Sequence, residues 1–182
     1  MLINKAYKFR IYPTKEQQIL IAKTIGCSRF VFNHFLSEWN KVYKDTGKGL
    51  NYGTCSAELP ALKKDPATAW LKEVDSVALQ SAVRNLSDAY DRFFKKQNDV
   101  PRFKSKRNPI QSYTTRQTNG NIAVLGNRLK LPKLGLVRFA KSKEVDGRIL
   151  SATVRRNPSG NYSVSLLVET EVQMLPETGS AC

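Results

Sequence analysis

Apolar and basic residues alternate at the start of the chain. Tyr7, Phe9 and Ile11 take every second position within residues 4–12, and the positions between them are basic. A period of two is typical of a strand with one buried face. Pro13 ends the pattern, so the sequence predicts a first strand over residues 4–12.

The following segment has apolar residues at three- and four-residue intervals, which is the repeat of helices that pack on one side. It predicts helices over residues 15–25, 27–45, 54–64 and 76–96. Thr14 and Gln17 have the spacing of a capping box at the start of the first helix. Gly26 separates the first two helices, which would form a hairpin resembling a helix-turn-helix. Such a hairpin could read a DNA groove or only pack, and the pattern leaves both interpretations open.

Beyond residue 96 the pattern changes from helix to strand. Pro101, Pro109 and a run of Lys and Arg indicate an extended basic connector. Strand patterns follow over residues 121–125, 128–131, 136–140, 150–156 and 162–169. Residues 157–160 have the composition of a tight turn, which predicts a hairpin between the last two strands.

The predicted fold is α+β, a small β-barrel interrupted by an α-helical insertion. Short strands with closely spaced turns are typical of barrels and sandwiches. The predicted parts are a first barrel strand over residues 1–13, a helical insertion over 14–100, the remainder of the barrel over 101–172 and a tail over 173–182.

Positive charge is concentrated in the middle of the chain. The 182 residues include 30 Lys or Arg and 15 Asp or Glu, a formal net charge of +15. Residues 95–143 hold 13 of the basic residues and one acid, which accounts for +12. Aromatic residues lie among these charges, and this combination is typical of a nucleic-acid surface. An anionic membrane fits less well because no basic amphipathic helix underlies the run.

The apolar stretches and the cysteines indicate the cellular compartment. The longest apolar runs are far shorter than the roughly 18 residues of a spanning helix, and the first ten residues resemble a strand rather than a signal peptide. Cys27, Cys55 and Cys182 are odd in number and widely spaced, unlike a zinc site or a disulfide scaffold. We therefore expect a monomeric cytoplasmic protein with no membrane partner.

No set of residues makes a convincing catalytic or metal site. His34 lies within an amphipathic helix and has no Cys or carboxylate at ligand spacing. Glu73 with Asp75, and Glu169 with Glu171, are paired carboxylates, but nothing nearby completes a nucleophile, an acid–base pair or a metal site. The residues themselves predict no catalytic group and no metal ligand.

Several short segments together match one family. They are KAYKFRIYP at residues 5–13, RFVFN at 29–33, LQ at 79–80, AY at 89–90, FF at 93–94, PRFKSK at 101–106, SYT at 112–114 and LKLPKLG at 129–135. In this order, across nearly all of the chain, they resemble TnpB, the OrfB-type protein of insertion sequences. Each segment alone is weakly specific, whereas the ordered set is specific.

The resemblance implies an RNA-guided DNA endonuclease. Such a protein has a wedge β-barrel interrupted by a helical recognition insertion, followed by a RuvC nuclease domain. The sequence ends at Cys182, where the wedge domain would pass into RuvC. By the resemblance, the catalytic carboxylates, Mg²⁺ and a zinc ribbon would belong to that second half. We therefore expect this chain to bind a guide RNA and target duplex DNA without cofactors of its own, and residues 173–182 to be disordered.

The resemblance also assigns residues to the DNA motif that flanks the target. The positions that such proteins place against this motif are Tyr52, Ser76, Gln80 and Thr118. Gln80 is suited to pair with adenine, although an ordinary polar helix position is the alternative. The family has Lys at the position of Ser76, so the loss of charge implies a different motif or a weaker contact.

Basic residues of the connector are expected to contact phosphates of RNA or of the heteroduplex through charge and shape. They are Lys95, Lys96, Arg102, Lys104, Lys106, Arg107 and Arg116. Phe103 and Tyr113 would either stack on bases or anchor the connector to the barrel, and the flanking charges favour anchoring.

Two other interpretations stay open. In one, the sequence is an incomplete record of a full RNA-guided endonuclease. In the other, the chain is a stand-alone repressor that uses the helix over residues 27–45 to bind DNA without RNA. Sequence-specific duplex binding without RNA would favour the repressor.

Overall fold

The chain forms one strand, then a helical segment, and then six further strands. The computed structural model describes residues 1–109 and 111–172, and the tail predicted over residues 173–182 lies outside these ranges. The elements are β1 (Leu2–Tyr12), α1 (Lys15–Thr46), α2 (Tyr52–Lys64), a 3₁₀ helix (Ala69–Glu73), α3 (Ser76–Phe94), β2 (Gln111–Arg116), β3 (Ala123–Leu125), β4 (Arg128–Leu131), β5 (Gly135–Phe139), β6 (Arg148–Arg156) and β7 (Tyr162–Glu171).

A seven-stranded antiparallel sheet has the order β2-β6-β7-β1-β5-β4-β3. Its longest pairing joins β1 to β7, from Leu2 opposite Glu171 to Ile11 opposite Tyr162. Phe9 and Ile11 are buried, so the alternation along β1 places one face on the core. The α+β class and six of the seven strands confirm the sequence predictions.

The predicted barrel is wrong, because the sheet does not close. β2 and β3 are the two edge strands and do not pair with each other. β3 has only three residues, so it offers a short ladder, which β4 already occupies. β2 pairs with β6 on one side, and helices α1 and α3 pack against it. The position of β2 is therefore set by helix packing rather than by a pairing that would close the sheet.

β2 is the strand that the sequence pattern missed. Tyr113 and Thr115 are its buried positions, and the residues between and beside them are polar. A strand with one large apolar side chain gives a weak periodic signal, and the Lys and Arg run before it favoured a connector. The alternation of Tyr113 and Thr115 was the available signal.

The two helices predicted on either side of Gly26 are one continuous helix, so the predicted hairpin is wrong. α1 runs for 32 residues through Gly26 to Thr46, and its C-cap, Gly47, has a left-handed φ of 72°. The capping box is confirmed: the N–H of Gln17 donates to Thr14 Oγ1, and the N–H of Thr14 donates to Gln17 Oε1. Glycine costs a helix interior about 1 kcal/mol relative to alanine, which is small beside the apolar burial of α1.

Two hydrophobic clusters fill the protein, and α1 contributes to both. Ile21 and Ile25 pack into the cluster under the sheet. Val31, Phe35 and Trp39 belong to the cluster that α1 forms with α2 and α3. A break at Gly26 would separate these two sets of contacts. Packing on both sides of the glycine therefore favours a continuous helix.

We expect Gly26→Ala to stabilise the protein, because the residue lies inside a continuous helix. An added Cβ would lie 3.8 Å from Nη2 of Arg29, an ordinary contact. The difference in helix propensity predicts a gain of about 0.5 to 1 kcal/mol in the free energy of unfolding, measured by urea denaturation. Gly49→Ala is the contrast, since its Cβ would collide with the indole of Trp39. A loss of stability in Gly26→Ala would indicate a turn at this position.

Candidate nucleic-acid interface

The basic connector, residues 95–109, joins α3 to the residues before β2. Its basic residues are exposed: Lys95, Lys96, Arg102, Lys104, Lys106 and Arg107. Among residues 1–109 and 111–172, none of these six forms an ion pair with a carboxylate. The connector therefore presents positive charge that the described part of the protein does not neutralise.

Asn33 of α1 fastens the connector to the helical segment. Asn33 Nδ2 donates to the carbonyl oxygen of Lys104 at 2.9 Å, and the N–H of Lys104 donates to Asn33 Oδ1 at 2.7 Å. The Nζ of Lys104 lies 4.6 Å from the centre of the Phe32 ring. Partial burial of this ammonium lowers the pKa of Lys104, even though the residue as a whole is exposed. Lys104 is therefore both an anchoring point of the connector and one of its positive charges.

The two aromatic residues of this region differ in accessibility. Phe103 is 59% exposed, whereas Tyr113 is 4% exposed and packs in the cluster under the sheet. Burial raises the pKa of Tyr113, and the charge of Asp75 adds to the effect. The position of Tyr113 is that of an anchor, and Phe103 is the ring that a base could reach.

One face of α3 carries residues at four-residue spacing, Ser76, Gln80 and Arg84. Ser76 and Gln80 are exposed, and Arg84 is half-buried. The guanidinium carbon of Arg84 lies 3.7 Å from the centre of the Tyr52 ring at the start of α2. Ser76, Gln80 and Arg84 therefore share one side of α3. Tyr52 lies on the same side because its ring contacts Arg84.

Arg84 is a candidate that the sequence reasoning missed. Its Nε is buried and has no hydrogen-bond partner among the described residues. A cation held against a tyrosine ring, one turn from Gln80, is suited to bind a phosphate. The spacing of four residues from Gln80 was the signal that could have found it.

Thr118 lies apart from this face, in the turn after β2. Its N–H donates to Asn121 Oδ1 at 2.7 Å, and its hydroxyl donates to the carbonyl oxygen of Arg116 at 3.3 Å. Both Thr118 and Arg116 are exposed. In the described ranges, no hydrogen bond or ring contact joins Thr118 to Gln80. Three of the four expected motif residues therefore lie on the helices, and the fourth lies in the turn after β2.

A second basic cluster, also missed, lies on the face of the sheet opposite the core. Arg138 of β5 is opposite Tyr12 of β1 and opposite Arg128 of β4. The guanidinium carbons of Arg10 and Arg138 lie 5.4 and 5.8 Å from the centre of the Tyr12 ring. The alternation of β1 already placed Arg10 and Tyr12 on one face, which was the available signal.

Cys27, Cys55 and His34 lie among neighbouring side chains. Cys27 and Cys55 are buried free thiols, and burial raises the pKa of each to about 11. The ring of His34 lies 5.8 Å from that of Phe30 and 5.0 Å from that of Phe35. Within the described ranges, no group of three or more His, Cys, Asp or Glu is placed to hold a metal ion. None of the described helices has the length and apolarity to cross a membrane.

Residues 1–48 match a known family model, HTH_OrfB_IS605, described as a helix-turn-helix domain. Over 182 residues the chain is 32% identical to a Streptomyces pristinaespiralis protein named as a candidate RNA-guided DNA endonuclease, covering 98% of this chain and 45% of the relative. It is also 32% identical over 169 residues to InsQ of Escherichia coli K12, which bears the same designation. That match covers 92% of this chain and 41% of InsQ. The chain belongs to the TnpB family of OrfB-type insertion-sequence proteins.

The chain spans less than half the length of these two TnpB-family relatives, whose N-terminal part it matches. The virulence protein VsdF of Salmonella dublin is 35% identical over 115 residues, which cover 58% of this chain and 97% of VsdF. Membership confirms the resemblance read from the sequence and indicates a DNA-binding insertion-sequence protein. The segment that matches the helix-turn-helix model consists here of β1, the continuous helix α1 and Gly47.

We expect Thr115→Val to destabilise this TnpB-family chain by breaking a link between α3 and β2. Thr115 Oγ1 donates to Oδ2 of Asp75, the N-cap of α3, and both residues are buried. Valine leaves the carboxylate without this donor, at a cost of about 1 to 3 kcal/mol in the free energy of unfolding. The control is Thr118→Val, which removes an exposed hydroxyl and should change stability by less than about 0.5 kcal/mol. Equal losses in urea denaturation would contradict the link.

Proposed function

We propose that this chain is the nucleic-acid-binding part of an RNA-guided TnpB-family nuclease in the cytoplasm. It holds the scaffold of a guide RNA with the basic connector and the sheet, and a short DNA motif beside the target with the helical segment. The observation that carries the proposal is the exposed connector, whose cations have no carboxylate partner in the described ranges. In the proposal, cleavage and its Mg²⁺ and Zn²⁺ belong to residues outside this sequence.

Charge and rigidity support RNA as the partner of the connector. A folded RNA is recognised through its backbone shape, which favours cations at set positions. Asn33 fixes the connector at Lys104, so the neighbouring Arg102, Lys106 and Arg107 are not on a freely moving loop. Phe103 offers an exposed ring to an unpaired base.

Amide geometry supports base contact by α3. Gln80 is exposed, and a glutamine amide can pair with N6 and N7 of adenine in a major groove. Arg84 lies one turn further along and is held by Tyr52, which suits a phosphate contact. Ser76, without charge, contributes at most a neutral hydrogen bond.

Recovery of nucleic acid that co-purifies with the chain tests the proposal directly. The chain is expressed beside the insertion sequence that encodes it, and the bound RNA is sequenced. A discrete structured RNA from the element is the expected result. Bulk RNA that washes off at modest salt would contradict guide binding. Sequence-specific duplex binding without RNA would favour a repressor instead.

We expect removal of Lys106 and Arg107 to weaken RNA binding and to reduce its salt dependence. Each lost phosphate contact should lower the slope of log K against log salt by about 0.7 to 0.9. Fluorescence anisotropy with the recovered RNA, at several salt concentrations, measures the slope. The charge-matched control is the double change of Lys63 and Lys64 to Ala at the end of α2. An unchanged slope in the connector variant would remove the connector from the interface.

We expect Gln80→Ala to reduce motif preference more than overall DNA affinity. Loss of a bidentate amide contact should remove about 1 to 3 kcal/mol of discrimination between the preferred and a substituted duplex. Selection from randomised duplexes, with the guide RNA bound, identifies the motif, and anisotropy then gives both affinities. Gln97→Ala, an exposed amide in the connector, is the matched control. Equal weakening on every duplex would assign Gln80 to the backbone.

A further inference from the structure

A cleft of about 330 Å³ lies between the helical segment, the connector and the edge of the sheet. Its walls come from α1, α3, the connector and β2, the edge strand that pairs only with β6. Ala78 and Ala82 of α3 are short side chains that leave space on one wall. The volume is within the range of about 300 to 1,000 Å³ that is usual for small-ligand sites.

Two cations line the cleft, and no carboxylate does. Arg29 comes from α1, and Lys104 comes from the connector. In residues 1–109 and 111–172, neither of them forms an ion pair. Nη1 of Arg29 donates to a neutral group, Gln111 Oε1, at 3.2 Å. The cleft is therefore a concentration of positive charge without a counter-charge.

One neutral amide contacts the guanidinium of Arg29, and another holds the backbone that carries Lys104. The side chain of Gln111, which accepts from Arg29, also donates to the carbonyl oxygen of Asn108 at 2.7 Å. Asn33 holds the backbone of Lys104 with two hydrogen bonds. Side chains that are placed before a ligand arrives lose less conformational entropy when it binds.

The ammonium of Lys104 is partly buried, and the hydroxyl of Ser28 is fully buried. Burial lowers the pKa of Lys104, which means that its charged form is poorly compensated. Ser28 lines the same cleft and is 9% exposed, and its Oγ is buried with no hydrogen-bond partner in the described part of the chain. A bound anion would compensate the ammonium.

We propose that this cleft binds the phosphate group of a nucleotide unit. Phosphate accepts the charge-assisted hydrogen bonds of a guanidinium and an ammonium. Ile25 and the two alanines of α3 offer an apolar surface to the attached sugar or base. Asn85 and the alanines lie on a different face of α3 from Gln80, so this site is separate from the proposed DNA-motif face.

The phosphate has two possible sources, a nucleic-acid strand and a free nucleotide. Assigning the phosphate to a nucleic-acid strand rests on the proposed function. The site itself rests on the geometry of the cleft. Isothermal titration of the full chain with inorganic phosphate, with AMP and with a ten-nucleotide single strand separates them. A strand that competes with AMP identifies a strand as the source, and AMP binding without competition identifies a free nucleotide. Both results support the site.

We expect Arg29→Gln and Lys104→Gln each to weaken AMP binding by about tenfold or more, since each removes one charge-assisted hydrogen bond. Glutamine at position 104 keeps the backbone groups that Asn33 holds, so folding should be retained. Ser28→Ala, which removes a fully buried hydroxyl beside the cleft, should change AMP binding by less than twofold while leaving the urea midpoint unchanged or raised. The matched control is Lys64→Gln, an exposed charge outside the cleft, with less than a twofold effect.

Two results would overturn the site. One is a folded parent chain that binds neither AMP nor inorganic phosphate. The other is an equal loss of AMP affinity in Arg29→Gln and Lys64→Gln, which would show attraction by net charge alone. Neither result bears on RNA binding by Lys106 and Arg107, so failure of the site and failure of the proposed function are distinguishable.

Discussion

The packing of α1 in two hydrophobic clusters is the constraint on which the rest of the structure depends. Ile21 and Ile25 lie under the sheet, and Val31, Phe35 and Trp39 lie among the helices. A continuous helix between these two groups sets the distance from the sheet to α2 and α3. The connector, which Asn33 fastens to α1, is positioned by that helix.

Polar contacts between distant segments then decide which groups face solvent. Asn33 satisfies both backbone groups of Lys104, and the buried Asp75 accepts from Thr115. Each contact joins the helical segment to the part of the chain that follows α3. These directional contacts fix the position of that part more closely than apolar packing does. An unpaired buried carboxylate is costly, so the contact between Thr115 and Asp75 has one favourable geometry. Charge on the connector is therefore presented from a defined position.

Local patterns predicted what depends on local periodicity and did not predict what depends on tertiary packing. The alternation in β1 and the capping box at Thr14 follow from neighbouring residues, and both are present. Gly26 has the local signature of a helix end, but buried neighbours on both sides carry the helix through it. Closure into a barrel depends on which elements cover β2, and that information is spread over α1 and α3. At the candidate site, composition predicted the positive charge of the connector. The contact of Arg84 with Tyr52 could not be predicted from sequence, because it depends on how α2 and α3 pack together.

α3 connects the surfaces that follow from this arrangement. One face of α3 packs in the helical core through Leu79, Val83 and Leu86. Gln80 lies on a second face, and a third face lines the cleft with Ala82. Movement of α3 relative to β2 would couple a ligand in the cleft to the proposed DNA-motif face. The hydrogen bond from Thr115 to Asp75 opposes that movement, because it joins the N-cap of α3 to β2 inside the protein. The two surfaces are therefore expected to bind their ligands as parts of one rigid unit, with weak coupling between them.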